Sequence, residues 1–383
     1  MTSEIWKRDI NRRDFLRGGA ALGLGGTALW VAAACGGSPS PGPVAGVTPS
    51  PLVYPKAEID GDLTLFNWSQ YMSEDVIHKF AAHYHVKVDN SHNFDNMTDM
   101  ITKLSTGSYD LTFPTMDYVD NMIKADALLP IDHNQLQNWG QVPAYFNDPW
   151  YDPKATYSAP YAIWTTGIMW RSNQVSGMTG SWNDFWAQAP QYHDKMFLLD
   201  DYQEVLGMGL LRNGFDINSG KKSDLDTAVN SVLTFKSGLR GFETDDITNM
   251  VNGTAWIHHA WSGDVYQVIS QVNDPQNIKY ETAKEGVPTG NDTMVIPKSA
   301  KHPGTALKFI DWMLAPENAI ANVDYFGYPQ VTTAGISHYQ DTIAKQYPVL
   351  AITLDQAING LREIAPTGDK RNLWQQEWRK IRY

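Results

Sequence analysis

From Leu63 onward the chain alternates short β-rich runs with longer segments of helical period, and that rhythm confines it to an α/β fold. Leu63-Thr64-Leu65-Phe66-Asn67-Trp68 reads as a strand. Ser73 then stands as a helix N-cap, Val76, Ile77 and Phe80 are spaced for one buried face, and Val86-Lys87-Val88 returns as a strand. The next unit repeats the order. Met97, Met100, Ile101 and Leu104 share a helical face, Gly107 stops that helix, and Tyr109 to Pro114 reads as a buried strand. Units of this kind build parallel sheet, which offers ligand-facing residues at the carboxyl ends of its strands.

A second set of units runs from Ile163 through Val287. Lys195 to Leu199 and Ala255 to His259 read as strands, and Ala228, Val232, Leu233 and Phe235 mark a helix between them. Asp292 to Pro297 is a further short strand, and Gly304 to Leu314 an amphipathic helix opening on Pro303-Gly304. Nothing repeats at a solenoid period. The elements are too many for one sheet and fit two α/β lobes.

The N-terminus is of another kind. Arg12-Arg13 precede a Gly/Ala/Leu run from Gly18 through Ala34, and Cys35 ends it. Paired arginines before a modestly apolar stretch resemble a twin-arginine export signal, and Ala32-Ala33-Ala34-Cys35 resembles a lipobox whose cysteine takes a lipid, although the usual Leu three residues before the Cys is absent. A membrane anchor fits less well, because the glycine-rich run is at the short limit for spanning ~30 Å of hydrocarbon. From Gly36 to Pro55 the chain is rich in Ser, Pro and Gly, the composition of a tether. The expected division is a signal over 1–34, a tether over 35–61, one lobe from 62–163 plus 292–335, and another from 164–291 plus 336–383.

Composition narrows the chemistry. A single Cys excludes a disulfide framework and thiolate metal clusters. Thirty basic residues against 42 acidic ones, a net charge of −12, argue against a nucleic-acid surface, and removal of residues 1–34 would leave −14. An acidic chain repels phosphate but not amines. Gly-x-Ser-x-Gly, Walker, His-Glu-x-x-His and Cys-x-x-Cys motifs are all absent, so no catalytic residue is named and no enzyme is expected. His78, His83 and His85 do not share a helical face, and His258 and His259 point to opposite faces of a strand, so neither set makes a metal site. No cofactor is expected.

Three acid–aromatic segments stand at strand ends: Asn67-Trp68-Ser69-Gln70-Tyr71, Asp200-Asp201-Tyr202-Gln203-Glu204, and Trp261-Ser262-Gly263-Asp264. If the second turns helical, Asp201 and Glu204 lie on one side. Each segment alone suits a helix cap or a core ring; together they suit an organic cation. Carboxylates give charge-assisted hydrogen bonds to ammonium, and ring faces add about 0.5 to 2 kcal/mol each while covering a methylene stem.

With those residues in view, the chain from about Leu63 to Ile381 resembles the spermidine/putrescine-binding proteins of polyamine ABC importers. The resemblance is carried by Leu65 to Tyr71, Tyr109-Asp110-Leu111, Tyr118 to Met122, Leu198 to Val205 and Phe326-Gly327-Tyr328-Pro329. It implies a periplasmic-binding-protein-like type II fold, two α/β lobes joined by crossing hinge strands and closing on ligand between them. It further implies an exported monomer in the periplasm or at the outer face of the membrane, with a membrane permease and ATPase as partners, and the lipobox adds a lipid anchor through Cys35. The alternatives are another small organic cation, an amino-acid derivative, a sugar phosphate or Fe³⁺, and, from another class, a secreted hydrolase, against which the missing nucleophile-plus-base motif argues.

By resemblance, Trp68 and Tyr71 form a first aromatic wall with Ser69 beside them, and Thr115 is a small hydroxyl contact. Asp201 and Glu204 are an acid pair, Trp261 covers the methylene chain, Asp292 is the acid of the returning strand, and Tyr328 the ring of a Gly-Tyr-Pro turn. Three positions depart from the family pattern: Gln70 replaces an acid, Asp117 a second ring, and Gly290 a tryptophan. Asp117 then offers a carboxylate that offsets the one lost at Gln70. The segment Arg362 to Thr367 offers no clear equivalent of the family's late glutamine contact.

Overall fold

A computed structural model describes residues 52–383. The signal over 1–34, Cys35 and the tether as far as residue 51 lie outside the described residues. Among the described residues nine strands make one continuous sheet, where the sequence suggests too many elements for one, because a long shared strand runs through both halves: β1 (Leu63–Trp68), β2 (Val88–Phe94), β3 (Leu111–Thr112), β4 (Ser158–Arg171), β5 (Met196–Leu198), β6 (Gly241–Phe242), β7 (Ile257–Trp261), β8 (Ile278–Glu281) and β9 (Thr289–Val295). Their order is β2-β1-β3-β9-β4-β7-β5-β6, with β8 also on β4.

The sheet has two parallel wings. In the first, β1 pairs parallel with β2 and β3; in the second, β5 pairs parallel with β6 and β7. Antiparallel β9 and β4 join them. Fourteen-residue β4 is buried along its whole length and changes partners midway: Ser158 to Thr165 pair with β9, and Thr166 to Trp170 with β7. One long apolar strand therefore belongs to both wings, and its run of Ala, Ile, Trp and Met reflects burial on both faces.

Helices cover each wing for the reasons the sequence suggests. In the helix Glu74–Tyr84, Val76, Ile77 and Phe80 are buried, each contributing about 1.5 to 3 kcal/mol by leaving water. Ser73 holds the cap position, but its amide donates to Asn322 and its side chain makes no cap bond. In Met97–Leu104 the carboxamide of Asn96 accepts from the Asp99 amide, a side-chain cap. That helix ends at Leu104 with Ser105 as its cap, so Gly107 is not its stop, and Ile101 is exposed. Several strands also shift from their expected limits. The second begins at Val88, the third shrinks to Leu111–Thr112, and the strand expected over 255–259 runs to Trp261. No described helix is long and apolar enough to cross a membrane.

Candidate functional site

The carboxyl ends of the parallel strands in both wings face one cavity of about 180 Å³. Trp68 ends β1, Phe94 ends β2 and Thr115 follows β3; from the other wing, Asp201 follows β5, Asp246 follows β6 and Trp261 ends β7. All ten residues singled out from the sequence line it: Trp68, Ser69, Tyr71, Thr115, Asp117, Asp201, Glu204, Trp261, Asp292 and Tyr328. Among the described residues the lining holds nine carboxylates and no lysine, arginine or histidine.

Asp292 sits within β9, its backbone bridged to Thr115 across the sheet. Tyr71 Oη donates to its Oδ2 at 2.5 Å and Trp164 Nε1 to its Oδ1 at 3.2 Å. Burial nevertheless pushes the Asp292 carboxyl up to about 7, because those two donors only partly replace water. The turn carrying Tyr328 is pinned to β4 by Ile163 N donating to Pro329 O and Val331 N to Tyr161 O. The Tyr328 hydroxyl then donates to Asp264 Oδ1 at 2.7 Å. Gly263 makes room for this ring, since a Cβ there would lie 2.1 Å from Tyr328 Cδ2.

Asp201 is the N-cap of the helix Tyr202–Arg212, accepting from the Gln203 and Glu204 amides, and Glu204 lies one turn in. The helix start thus sets both carboxylates toward the cavity. Burial first and the Glu204 charge second push Asp201 up to about 7. Across from them, Asp117 accepts from Thr115 Oγ1 at 2.6 Å and from Gln203 Nε2 at 3.0 Å. Burial raises its pKa, and those two donors hold it back. Gln203 Oε1 in turn accepts from Tyr118 Oη at 2.8 Å, and Asn96 Nδ2 donates to Asp200 O at 3.3 Å. These bonds run from one wing to the other. Trp68 and Trp261, also from opposite wings, stand 6.3 Å apart between ring centres.

Sequence reasoning missed several lining residues. Trp164 is hidden in a continuously apolar strand, where a core ring is the natural reading. Asp246 opens the short helix Asp246–Val251, is fully buried, and its carboxyl meets that of Asp264 with no other hydrogen-bond partner. Burial and the neighbouring Asp264 charge hold it well above the usual carboxylate range, while Asp264 itself is pushed up to about 6, chiefly by burial. Glu363 lies in the coil between Leu354–Asn359 and Gly368–Arg382, within the segment that offered no clear contact. No periodicity marks it. Asp264 had a signal, as the last residue of the Trp261-to-Asp264 pattern.

His258 and His259 do face opposite ways. His258 stacks on Phe197 with ring centres 5.3 Å apart, and burial lowers its pKa to about 3. His259 packs edge-on against Trp182, its Nε2 3.4 Å from Glu204 Oε2.

Residues 75–345 match the family described as bacterial extracellular solute-binding proteins. The chain is similar to the spermidine/putrescine-binding periplasmic protein of Salmonella typhimurium, 31% identical over 273 residues, which cover 70% of this chain and 76% of the relative. Among solved structures it is similar to a putative spermidine/putrescine ABC transporter from Listeria monocytogenes, with a TM-score of 0.75 and 26% identity over 84% of this chain and 99% of the other. A lipoprotein of Treponema pallidum gives 0.70 and 25%, covering 84% and 99%. These likenesses carry the periplasmic-binding-protein-like fold.

Proposed function

The chain belongs to the bacterial extracellular solute-binding proteins, and on that premise we propose that it captures a polyamine of the spermidine or putrescine class in the cavity and delivers it to an ABC importer. One observation carries the reading: nine carboxylates and seven aromatic rings line a cavity with no basic side chain. A cationic ligand pairs with such a set as its carboxyls ionise, and rings covering its stem make that cation organic. The same lining disfavours anions, which would need arginine, lysine or a free helix N-terminus.

Trp68, Tyr71, Trp261 and Tyr328 are assigned to the hydrocarbon stem. Asp117, Asp201, Glu204 and Asp292 are assigned to the nitrogens, with Ser69 and Thr115 as hydroxyl contacts. Capture is a binding step without catalysis. The cavity's negative field collects the cation, and wing-to-wing bonds such as Gln203 to Asp117 close over it and strengthen the ion pairs by excluding water. The lobes are read as 62–163 plus 292–335 and 164–291 plus 336–383, hinged on β4 and β9, with the closed form presented to the permease. Export through the Arg12-Arg13 signal and a lipid on Cys35 fit this role, and the lipoprotein likeness supports the anchor. Intact mass of the membrane-fraction protein tests the lipid.

Isothermal titration of the purified protein with spermidine, spermine, putrescine, cadaverine and agmatine tests the ligand class. Saturable binding of at least one is expected. Heat from none of them would reject it.

A further inference from the structure

His259 stands behind the cavity wall, in β7 and opposite Ile168 of β4. It is fully buried and does not line the cavity, whereas Glu204, whose Oε2 is 3.4 Å from its Nε2, does. Among the described residues no other basic side chain pairs with a carboxylate of the lining. Aromatic rings flank the imidazole elsewhere: Trp182 edge-on with ring centres 5.0 Å apart, and Phe185 at 6.3 Å.

The neighbouring His258 is a satisfied core histidine of the same strand. Its Nδ1 donates to His259 O at 2.7 Å, and its ring stacks on Phe197. By contrast, neither ring nitrogen of His259 is in a hydrogen bond, and Glu204 Oε2 is likewise without one. A neutral imidazole carries its proton on one nitrogen or the other, and a buried N–H without an acceptor is an arrangement that folded proteins avoid. Nδ1 has no hydrogen-bond partner, whereas Nε2 faces a carboxylate oxygen that lacks a donor. The two unpartnered atoms answer each other.

Resting on the polyamine reading, we propose that His259 is a positioning residue for Glu204: its Nε2–H holds the carboxylate from behind and leaves the cavity side of that group to a ligand ammonium. The imidazole itself touches no ligand. The 3.4 Å separation exceeds the roughly 2.7–2.9 Å of a formed charge-assisted bond, so the contact tightens as Glu204 takes its counter-charge. A carboxylate already held in one orientation loses less freedom on binding, and its ion pair with the amine is stronger for that.

The test is calorimetric titration of the full chain, of His259→Met and of His259→Gln with the five amines named above, with thermal melts to establish that each protein is folded. Methionine keeps the bulk and removes the donor; glutamine returns an N–H at similar reach. H259M is expected to bind the parent's amine about tenfold more weakly, the scale of one hydrogen bond to a charged group, and H259Q to recover most of that loss. Unchanged or raised affinity in H259M, or an equal loss in both variants, overturns the proposal while leaving the polyamine reading standing. A parent that binds none of the amines removes both. If H259M does not fold, the histidine nitrogen NMR spectrum of the ligand-free parent decides, with His259 identified by its proximity to the Trp182 ring. A proton on Nε2 supports the proposal, and a proton on Nδ1 alone overturns it.

Discussion

Trp164 and Gly290 face each other across the β4–β9 ladder, and a Cβ built at Gly290 would fall 2.4 Å from Trp164 Cζ2. The glycine where the resemblance implies a tryptophan is therefore the space that Trp164 fills from the neighbouring strand. The wall ring is supplied by another residue, and that ring also donates to Asp292. Gly290→Ala should push Trp164 off this position, destabilise the fold by about 1 to 3 kcal/mol through overpacking, and weaken amine binding. A thermal melt paired with titration calorimetry reads both effects. Unchanged affinity would mean that Trp164 does not shape the site.

The Tyr71 hydroxyl is the better of the two donors to Asp292, at 2.5 Å against 3.2 Å for Trp164. It favours the charged carboxylate. Tyr71→Phe keeps the ring against Tyr161 and Phe326 and removes only that bond, so the Asp292 pKa should rise further. Affinity for the amine at neutral pH should fall about tenfold, matching the roughly 1.5 kcal/mol of a hydrogen bond to a charged group. Titration at higher pH should recover part of the loss. A loss independent of pH would assign Tyr71 to packing instead.

Trp261→Ala removes a ring that is only half-buried at the end of β7, so little core packing goes with it. Loss of a desolvated cation–π contact of about 2 kcal/mol should weaken amine binding about thirtyfold. The melting temperature of the ligand-free protein should move by only a few degrees. Tryptophan fluorescence quenching on amine addition checks the same point, because Trp68 stands 6.3 Å from Trp261 and both should report.

Much of the site was legible because its residues sit where a strand ends and a helix begins. Trp68, Asp201 and Trp261 each follow a recognisable β-rich run, and the carboxyl ends of parallel strands are where the topology aims side chains. The register of β4 was not legible. A fourteen-residue apolar strand shared by both wings shows no alternation, so nothing in its residues separates Trp164, which meets the cavity, from Trp170, which packs in the second wing's core. Glu363 and Asp246 were hidden for the opposite reason. One lies in coil and one at the start of a six-residue helix, and only tertiary contacts bring them to the cavity.

The cavity acids also give the ligand-free protein a pH dependence of unusual sign. Burial pushes Asp292 and Asp201 up to about 7 and Asp264 up to about 6, whereas the unfolded chain has the ordinary value near 3.8. Between the unfolded and folded values the native state binds more protons than the unfolded state, so stability falls as pH rises through that window. Melts without ligand should therefore be higher at pH 5 than at pH 8. Binding runs the other way, because an ammonium ion pairs with the ionised carboxylates and expels their protons. Amine affinity should rise about tenfold or more from pH 5.5 to pH 8, since stripping a proton from a carboxyl costs about 1.4 kcal/mol for every pH step below its pKa. Calorimetry in buffers of different ionisation enthalpy should count the released protons. Affinity that is flat with pH, with no proton release, would mean that these carboxylates are already ionised in the empty cavity.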